Sequence, residues 1–332
     1  MLRTRSLWLQ AAALLLFSIA IHAQTCLSAP DIDPPTRASV EAAVRRYFDM
    51  TARGDAAALK QSSISSLASN FSGIESTLKN NQPDLGGSAA AIRPPFLLNA
   101  EGSQPLARAE FLCGVFGKFG QTPQSAVFVL NDLPPGKYSV AILDVSGGKH
   151  PITLTLVLQQ LAGEWKLAGF YTRSQQACGH DASWFAQQAR EFKSRSQLHN
   201  AWLYYREAIA LASPVDFMST LFTDKLYDEI QTVQPADMPI NDAAVDLTAA
   251  GKTFRWTAIF PLAVADDLNV VLKYSAPDIS NTQKTYEQNI QIIKAVVAKF
   301  PELKSAFTGA VARAVVASGE DYGSLLPMKE IK

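Results

Sequence analysis

Apolar residues recur at helical spacing soon after the start of the chain. Val40, Val44, Tyr47 and Phe48 predict a helix that Thr36 or Ser39 can cap, and Gly54 separates it from a short second helix over 56–61. Residues 62–105 are rich in Ser, Asn, Gly and Pro; they hold an ambiguous helix around 74–80 and a stretch over 82–88 that reads as mobile. Residues 112–119 fit either a helix or a strand and are broken by Gly114 and Gly117. The period then changes to two. Strands are predicted over 125–131, 137–145, 152–160 and 165–171, separated by Pro134-Pro135-Gly136, Gly147-Gly148 and Gly163. In the third of these, Ile152, Leu154, Leu156 and Leu158 alternate with Thr153, Thr155 and Gln159. Sequential hairpins of this kind predict an antiparallel meander.

After Cys178 the period returns to helical. Asp181 is a good N-cap for a helix over 182–193 with Trp184, Phe185, Ala189 and Phe192 on its apolar side; a second helix follows over 197–211. Residues 222–233 predict another helix, and Pro235 and Pro239 break the pattern. Strands are expected over 243–248, 253–260, 269–274 and 310–317 around one strong helix over 285–300, whose apolar side carries Tyr286, Ile290, Ile293, Val296, Val297 and Phe300. The predicted class is α+β: an N-terminal helix with a curved antiparallel sheet, a central helical hairpin and a small C-terminal α+β domain.

Two family resemblances refine this layout. An opening amphipathic helix followed by long hairpins that end in Gly163-Glu164-Trp165-Lys166-Leu167-Ala168-Gly169-Phe170 resembles the nuclear-transport-factor-2-like fold over 36–175. The resemblance implies a sheet curved into a cup, lined by Tyr138, Val140, Ile142, Leu154, Leu156 and Leu158, with Asp144 or His150 near its rim. Enzymes on that fold place a carboxylate or histidine inside the cup, where burial raises a carboxylate's pKa enough for proton abstraction. Phe185, Ala189, Phe192, Ala201, Tyr205 and Ala208 resemble one tetratricopeptide unit, although Gln188 departs from the pattern and Pro214 comes one residue late. A single unit cannot bury a continuous core, so a hairpin docked on its neighbours is expected. The expected organisation is a signal peptide over 1–23, a linker over 24–35, and domains over 36–175, 176–214 and 215–332.

The N-terminus places the protein. Arg3 and Arg5 precede an apolar run over 7–21, and Ala23 offers a cleavage position. That run is shorter than the roughly twenty residues needed to span a bilayer, so it reads as a secretory signal and implies an exported protein, periplasmic or extracellular. A lipid anchor at Cys26 is the weaker alternative, because Ala23-Gln24-Thr25 fits a lipoprotein cleavage box poorly. Thirty basic residues balance thirty acidic ones, and removing Arg3 and Arg5 leaves a mature charge near −2. No basic stripe supports nucleic-acid binding. In an oxidising compartment two of Cys26, Cys113 and Cys178 can pair. Cys113 with Cys178 is the preferred pair; Cys26 with Cys178, or no pair at all, are the alternatives.

Candidate chemistry is sparse. No zinc-protease, serine-hydrolase or Walker motif occurs, and no cofactor or metal site is expected. Cys178-Gly179-His180-Asp181 reads either as a domain junction or as a thiolate activated by His180 and the following helix N-terminus. Trp184, Trp202, Tyr204 and Tyr205 read as interhelical packing or as an aromatic groove for a peptide or glycan. Asp266-Asp267 and Glu320-Asp321 read as turn acids. Tyr138, Asp144, His150, Trp184 and Trp202 are thus the candidate ligand-binding residues, with no catalytic set among them. The expected function is noncatalytic binding or scaffolding in the envelope, with a protein or a small apolar ligand as partner. An isomerase, a hydrolase or a carrier using the cup is the alternative.

Overall fold

A computed structural model describes residues 24–115, 120–240 and 243–331. The signal-peptide reading of residues 1–23 falls outside them. Among the described residues the fold is α+β, with three sheets and no closed barrel.

The chain enters through β1 (Thr25–Leu27), so the stretch read as a linker begins instead as an edge strand. In α1 (Pro34–Ala52), Asp33 accepts from the Thr36 amide at 2.9 Å, while Pro34 and Pro35 occupy the first turn, where amide donors are dispensable. Four short helices follow: α2 (Ala56–Gln61), α3 (Ser65–Ser69), α4 (Ser72–Asn80) and α5 (Gln82–Leu85). The stretch over 82–88 is not a free loop. Leu85 is fully buried, the Lys149 amide donates to the Pro83 carbonyl at 3.0 Å, and the His150 amide donates to Asp84 Oδ1 at 2.7 Å.

Next come β2 (Ala89–Ile92), β3 (Phe96–Ala100), β4 (Leu106–Cys113), β5 (Ala126–Leu133), β6 (Gly136–Ser146), β7 (Ile152–Leu161) and β8 (Glu164–Ser174). The first sheet runs β1-β3-β6-β7-β8, with β2 also paired to β6. The expected meander holds for β6, β7 and β8 but not for β5, which pairs with β4 in a second sheet. Pro134 and Pro135 have no amide to extend a β5–β6 ladder, so the chain crosses there from one sheet to the other. The crossing sets Phe128 edge-on to Phe96 of the first sheet, ring centroids 5.1 Å apart.

The first sheet is therefore covered twice. On one face Leu143, Leu154, Leu156, Leu158 and Leu167 pack against Val40, Val44, Tyr47, Leu59 and Leu78. On the other, Tyr138, Val140, Ile142 and Val157 pack against Phe111 and Phe128. This double cover explains why Thr153 and Thr155, polar in the alternation, are also buried.

The second half contains α6 (Ala182–Ser194), α7 (Leu198–Ala212), β9 (Met218–Thr220), α8 (Leu221–Gln231), β10 (Val245–Ala249), β11 (Lys252–Val264), β12 (Asp267–Ser275), α9 (Thr282–Lys299), β13 (Gly309–Val315) and β14 (Asp321–Pro327). β9 returns to pair with β5. The third sheet runs β10-β11-β12-β13-β14; β12 and β13 are parallel because α9 carries the chain back across the sheet. Phe185, Ala189, Phe192, Ala201, Tyr205 and Ala208 are buried between α6 and α7. That hairpin shares one continuous core with the third sheet and α9, in which Trp256, Tyr274, Ile293 and Val297 are central.

The disulfide corrects an expectation. Cys113 pairs with Cys26, not with Cys178. β1 lies along both β3 and β4, bringing the Cys26 and Cys113 Cα atoms to 5.0 Å, whereas Cys178 sits on the α6 side of the molecule as a free thiol.

Candidate functional site

Helix α7 presents Trp202, Arg206 and Ile209 on one face at i, i+4, i+7 spacing. Opposite them α8 supplies Tyr227, Ile230 and Gln231. The entry of α8 is fixed twice through Thr220, which pairs with Ala126 across the second sheet and closes a capping box with Thr223. The floor comes from β11, where a bulge inserts Thr257 between Trp256 and Ala258. The bulge spends the Thr257 hydroxyl on the Lys273 carbonyl and leaves the Ile259 carbonyl to accept from Arg206 Nη1. Gln234, Pro239 and Ile240 complete a groove of about 370 Å³.

Charge in this groove is unusual. The Arg206 guanidinium lies over the Trp202 ring, 4.8 Å from its centroid, and burial pulls it below the ordinary arginine value. Among the described residues it forms no ion pair. Its neighbour Glu207 is pushed up to about 7 by burial, against the lowering influence of Arg206. Trp202 is 5% exposed and Tyr227 50%, so the groove has one fixed aromatic wall and one open to solvent. Behind the groove, His199 Nδ1 meets Glu302 at 2.6 Å and its Nε2 meets Asp237 at 3.0 Å. That double contact anchors the segment carrying Gln234 and Pro239 to the start of α7.

No family model, curated protein or solved structure matches the chain.

The other predicted site residues are not brought together. Tyr138 and Asp144 lie six residues apart on β6, about 20 Å along the strand. The Tyr138 hydroxyl donates to the Pro134 carbonyl at 2.8 Å and accepts from Gln159 at 3.0 Å; burial pushes it up to about 12. Asp144 is not a base inside a cup. It is 38% exposed, accepts both contacts of a forked pair with Arg93 at 2.6 and 2.8 Å, and also accepts from Gln175 at 2.9 Å. His150, 59% exposed, stands outside on the β6–β7 turn beside Asp84. The expected cup lining is core on both faces, with Leu154, Leu156 and Leu158 fully buried.

Trp184 and Trp202 do not share an aromatic groove. Trp184 stacks on His180, ring centroids 3.7 Å apart, in a separate shallow cleft with Cys178 and Phe307. Tyr204 belongs to the Trp184 cleft, packing on Phe192 and donating to the Ala306 carbonyl at 2.7 Å. Burial, helped by Glu207, Asp267 and Asp266, pushes the Cys178 thiol up, which disfavours the thiolate. Asp181 caps α6 through the Trp184 amide at 2.9 Å, as a junction requires. Asp266 sits in the β11–β12 turn, and Asp321 pairs with Arg313 at 2.6 Å.

A wider cleft of about 910 Å³ opens near the disulfide, between Ser28–Asp31, Phe96, Ile142 and Ser125. Its Arg93 is neutralised by Asp144, and Gly114 and Gly120 are among its lining residues.

Among the described residues, no helix is long and apolar enough to cross a membrane, and no cluster of three or more His, Cys, Asp or Glu side chains is arranged to hold a metal ion. Arg206, Glu207 and Tyr227 were not legible as site residues. The one available signal was a charged pair inside the otherwise apolar stretch over 201–212.

Proposed function

We propose that the protein is an exported, noncatalytic binding protein of the cell envelope that holds its ligand in the groove between α7, α8 and β11. The observation that carries this reading is the chemistry of the lining. Trp202, Arg206, Tyr227, Gln231 and Gln234 offer aromatic surface and hydrogen-bond groups, while no carboxylate, histidine or cysteine lines the groove among the described residues. Such a set suits recognition, whereas acid–base or nucleophilic catalysis needs a titratable pair within reach of the reacting atoms. The Cys26–Cys113 bridge supports an oxidising compartment and leaves Cys26 without a thiol for a lipid anchor. The alternative built on the N-terminal cup has less support, because its lining is packed on both sides.

Native mass spectrometry tests the proposal on unreduced protein from the exported fraction, wild type beside Ala258→Trp, which fills the groove floor. A small molecule retained by wild type and lost from the variant is the expected result. A molecule retained equally by both moves the site elsewhere, and apo-protein that carries only another polypeptide replaces ligand binding with scaffolding.

A further inference from the structure

The guanidinium of Arg206 has five N–H donors in a planar fork. One is spent on the Ile259 carbonyl at the β11 bulge, and one face of the fork is covered by Trp202. Among the described residues no other acceptor lies within hydrogen-bond distance, and no carboxylate lies within ion-pair distance. Glu207, next along α7, interacts with Arg206 through space without forming an ion pair, and its own burial opposes its ionisation. A partly desolvated cation with spare donors is costly to leave without a counter-charge. Arg206 is one of the residues that line the groove.

We infer that the ligand of this groove carries a carboxylate, held by the free edge of Arg206, on a small apolar or aromatic body. The inference rests on the groove being the binding site. A planar carboxylate matches one edge of a guanidinium with two parallel hydrogen bonds. A phosphate dianion fits less well, because Arg206 is the only cation lining the groove among the described residues. The remaining walls set the body: Trp202, Ile209, Ile230, Pro239, Ile240 and Ala258 offer apolar surface, and Tyr227, Gln231, Gln234 and Thr257 add hydrogen-bonding groups beside it. At about 370 Å³ the space is near the low end for small-molecule sites, which run from roughly 300 to 1,000 Å³.

The test uses para-fluorophenylacetate and its neutral counterpart para-fluorophenylacetamide, followed by fluorine NMR titration of the full mature chain. Wild type is expected to bind the acid about tenfold or more tightly than the amide, since a hydrogen bond to a charged group is at stake. Arg206→Gln should bring the two affinities together, the acid losing about tenfold or more relative to the amide. Arg206→Lys should restore only part of the acid preference, because an ammonium keeps the charge but loses the fork. Ala258→Trp should abolish binding of both probes. Circular dichroism melting of each variant identifies any that fails to fold, and the lysine variant keeps the test open if the glutamine variant does. If acid and amide bind equally in a groove that Ala258→Trp blocks, the carboxylate inference falls and the groove reading stands. If both probes survive Ala258→Trp, or neither binds wild type, the groove reading falls as well. Asn241 and Asp242 lie outside the described residues, so Asp242→Asn is the last control. An acid preference already present in wild type and unchanged in that variant supports an external carboxylate. A preference that appears only there makes Asp242 the resident partner of Arg206 and overturns the inference.

Discussion

Gly148, in the turn between β6 and β7, lies so close to Asp84 that a Cβ at Gly148 would overlap the Asp84 carbonyl oxygen. The contact is backbone on backbone, so no side-chain rotation relieves it. The same turn donates the Lys149 amide to Pro83 and the His150 amide to Asp84, closing α5 over the core around Leu85. Gly148→Ala is expected to lower unfolding free energy by about 2–3 kcal/mol, the cost of overpacking a site that cannot yield. Urea denaturation measures it. Gly163→Ala is the control: it meets nothing within 4 Å but sits at φ +86°, and should cost only about 1 kcal/mol.

The pairing of Cys26 with Cys113 closes a loop across 87 positions of sequence. A cross-link of that span restricts the unfolded chain by about 4–5 kcal/mol in the chain-entropy account, and measured values run lower. Replacing Cys26 and Cys113 with serine should therefore cost about 2–5 kcal/mol, read by the same denaturation under non-reducing conditions. Cys178→Ser should leave the disulfide mass signature intact. A non-reducing peptide map that links Cys178 to either partner would contradict the arrangement.

What could be read from the sequence was what is local. Helices α1, α6, α7 and α9 and strands β6 to β8 carry their period within their own residues, and they appear within a few positions of where that period puts them. β3 could not be read this way. Its identity depends on Phe96 lying opposite Val140, some forty positions away, and its own sequence is short and flanked by prolines. The Pro134-Pro135-Gly136 signal was legible as a turn but not as a crossing between sheets, because the same residues serve both. Asp144 was legible as an acid at a hairpin end, while its partner Arg93 was hidden in a Pro-rich stretch with no period. Trp202 was singled out for its aromatic ring. Arg206 became visible only when α7 was packed on β11, although a charge in an apolar helix already implied burial of that charge.

A buried polar network ties α9 to the third sheet. The Tyr274 hydroxyl donates to Asn289 Oδ1 at 2.8 Å, and Asn289 Nδ2 donates to Ser324 Oγ at 2.9 Å and to the Tyr322 carbonyl at 3.2 Å. Burial pushes the Tyr274 hydroxyl up to about 12, so it remains a donor at any physiological pH. Asn289→Ala strands three polar groups at once and should cost about 2–4 kcal/mol. Tyr274→Phe, which removes one donor, should cost about 1–2 kcal/mol. The double variant should cost less than the sum, because the first change already breaks the shared bond; a thermal-melt double-mutant cycle reads the difference.

Glu207 makes stability depend on pH in a direction opposite to that of a paired carboxylate. Burial raises its carboxyl from 4.5 to about 7 in the folded chain. Between those two values the folded state holds a proton that the unfolded state has released, so stability falls as pH rises through the window and is level on either side. The full shift corresponds to about 3 kcal/mol, reduced because the side chain is not wholly shielded from solvent. Glu207→Gln should therefore be as stable as wild type near pH 4, more stable by about 1–3 kcal/mol near pH 8, and flatter between. A variant that keeps the wild-type slope would assign the pH dependence to another group. The same substitution removes a negative charge beside Arg206. Above the folded-state value it should tighten para-fluorophenylacetate binding a few-fold, and near pH 5.5, where Glu207 is already mostly neutral in the folded chain and the probe is still ionised, it should change almost nothing. Tighter binding at both pH values would mean that Glu207 acts on the groove through packing instead of charge.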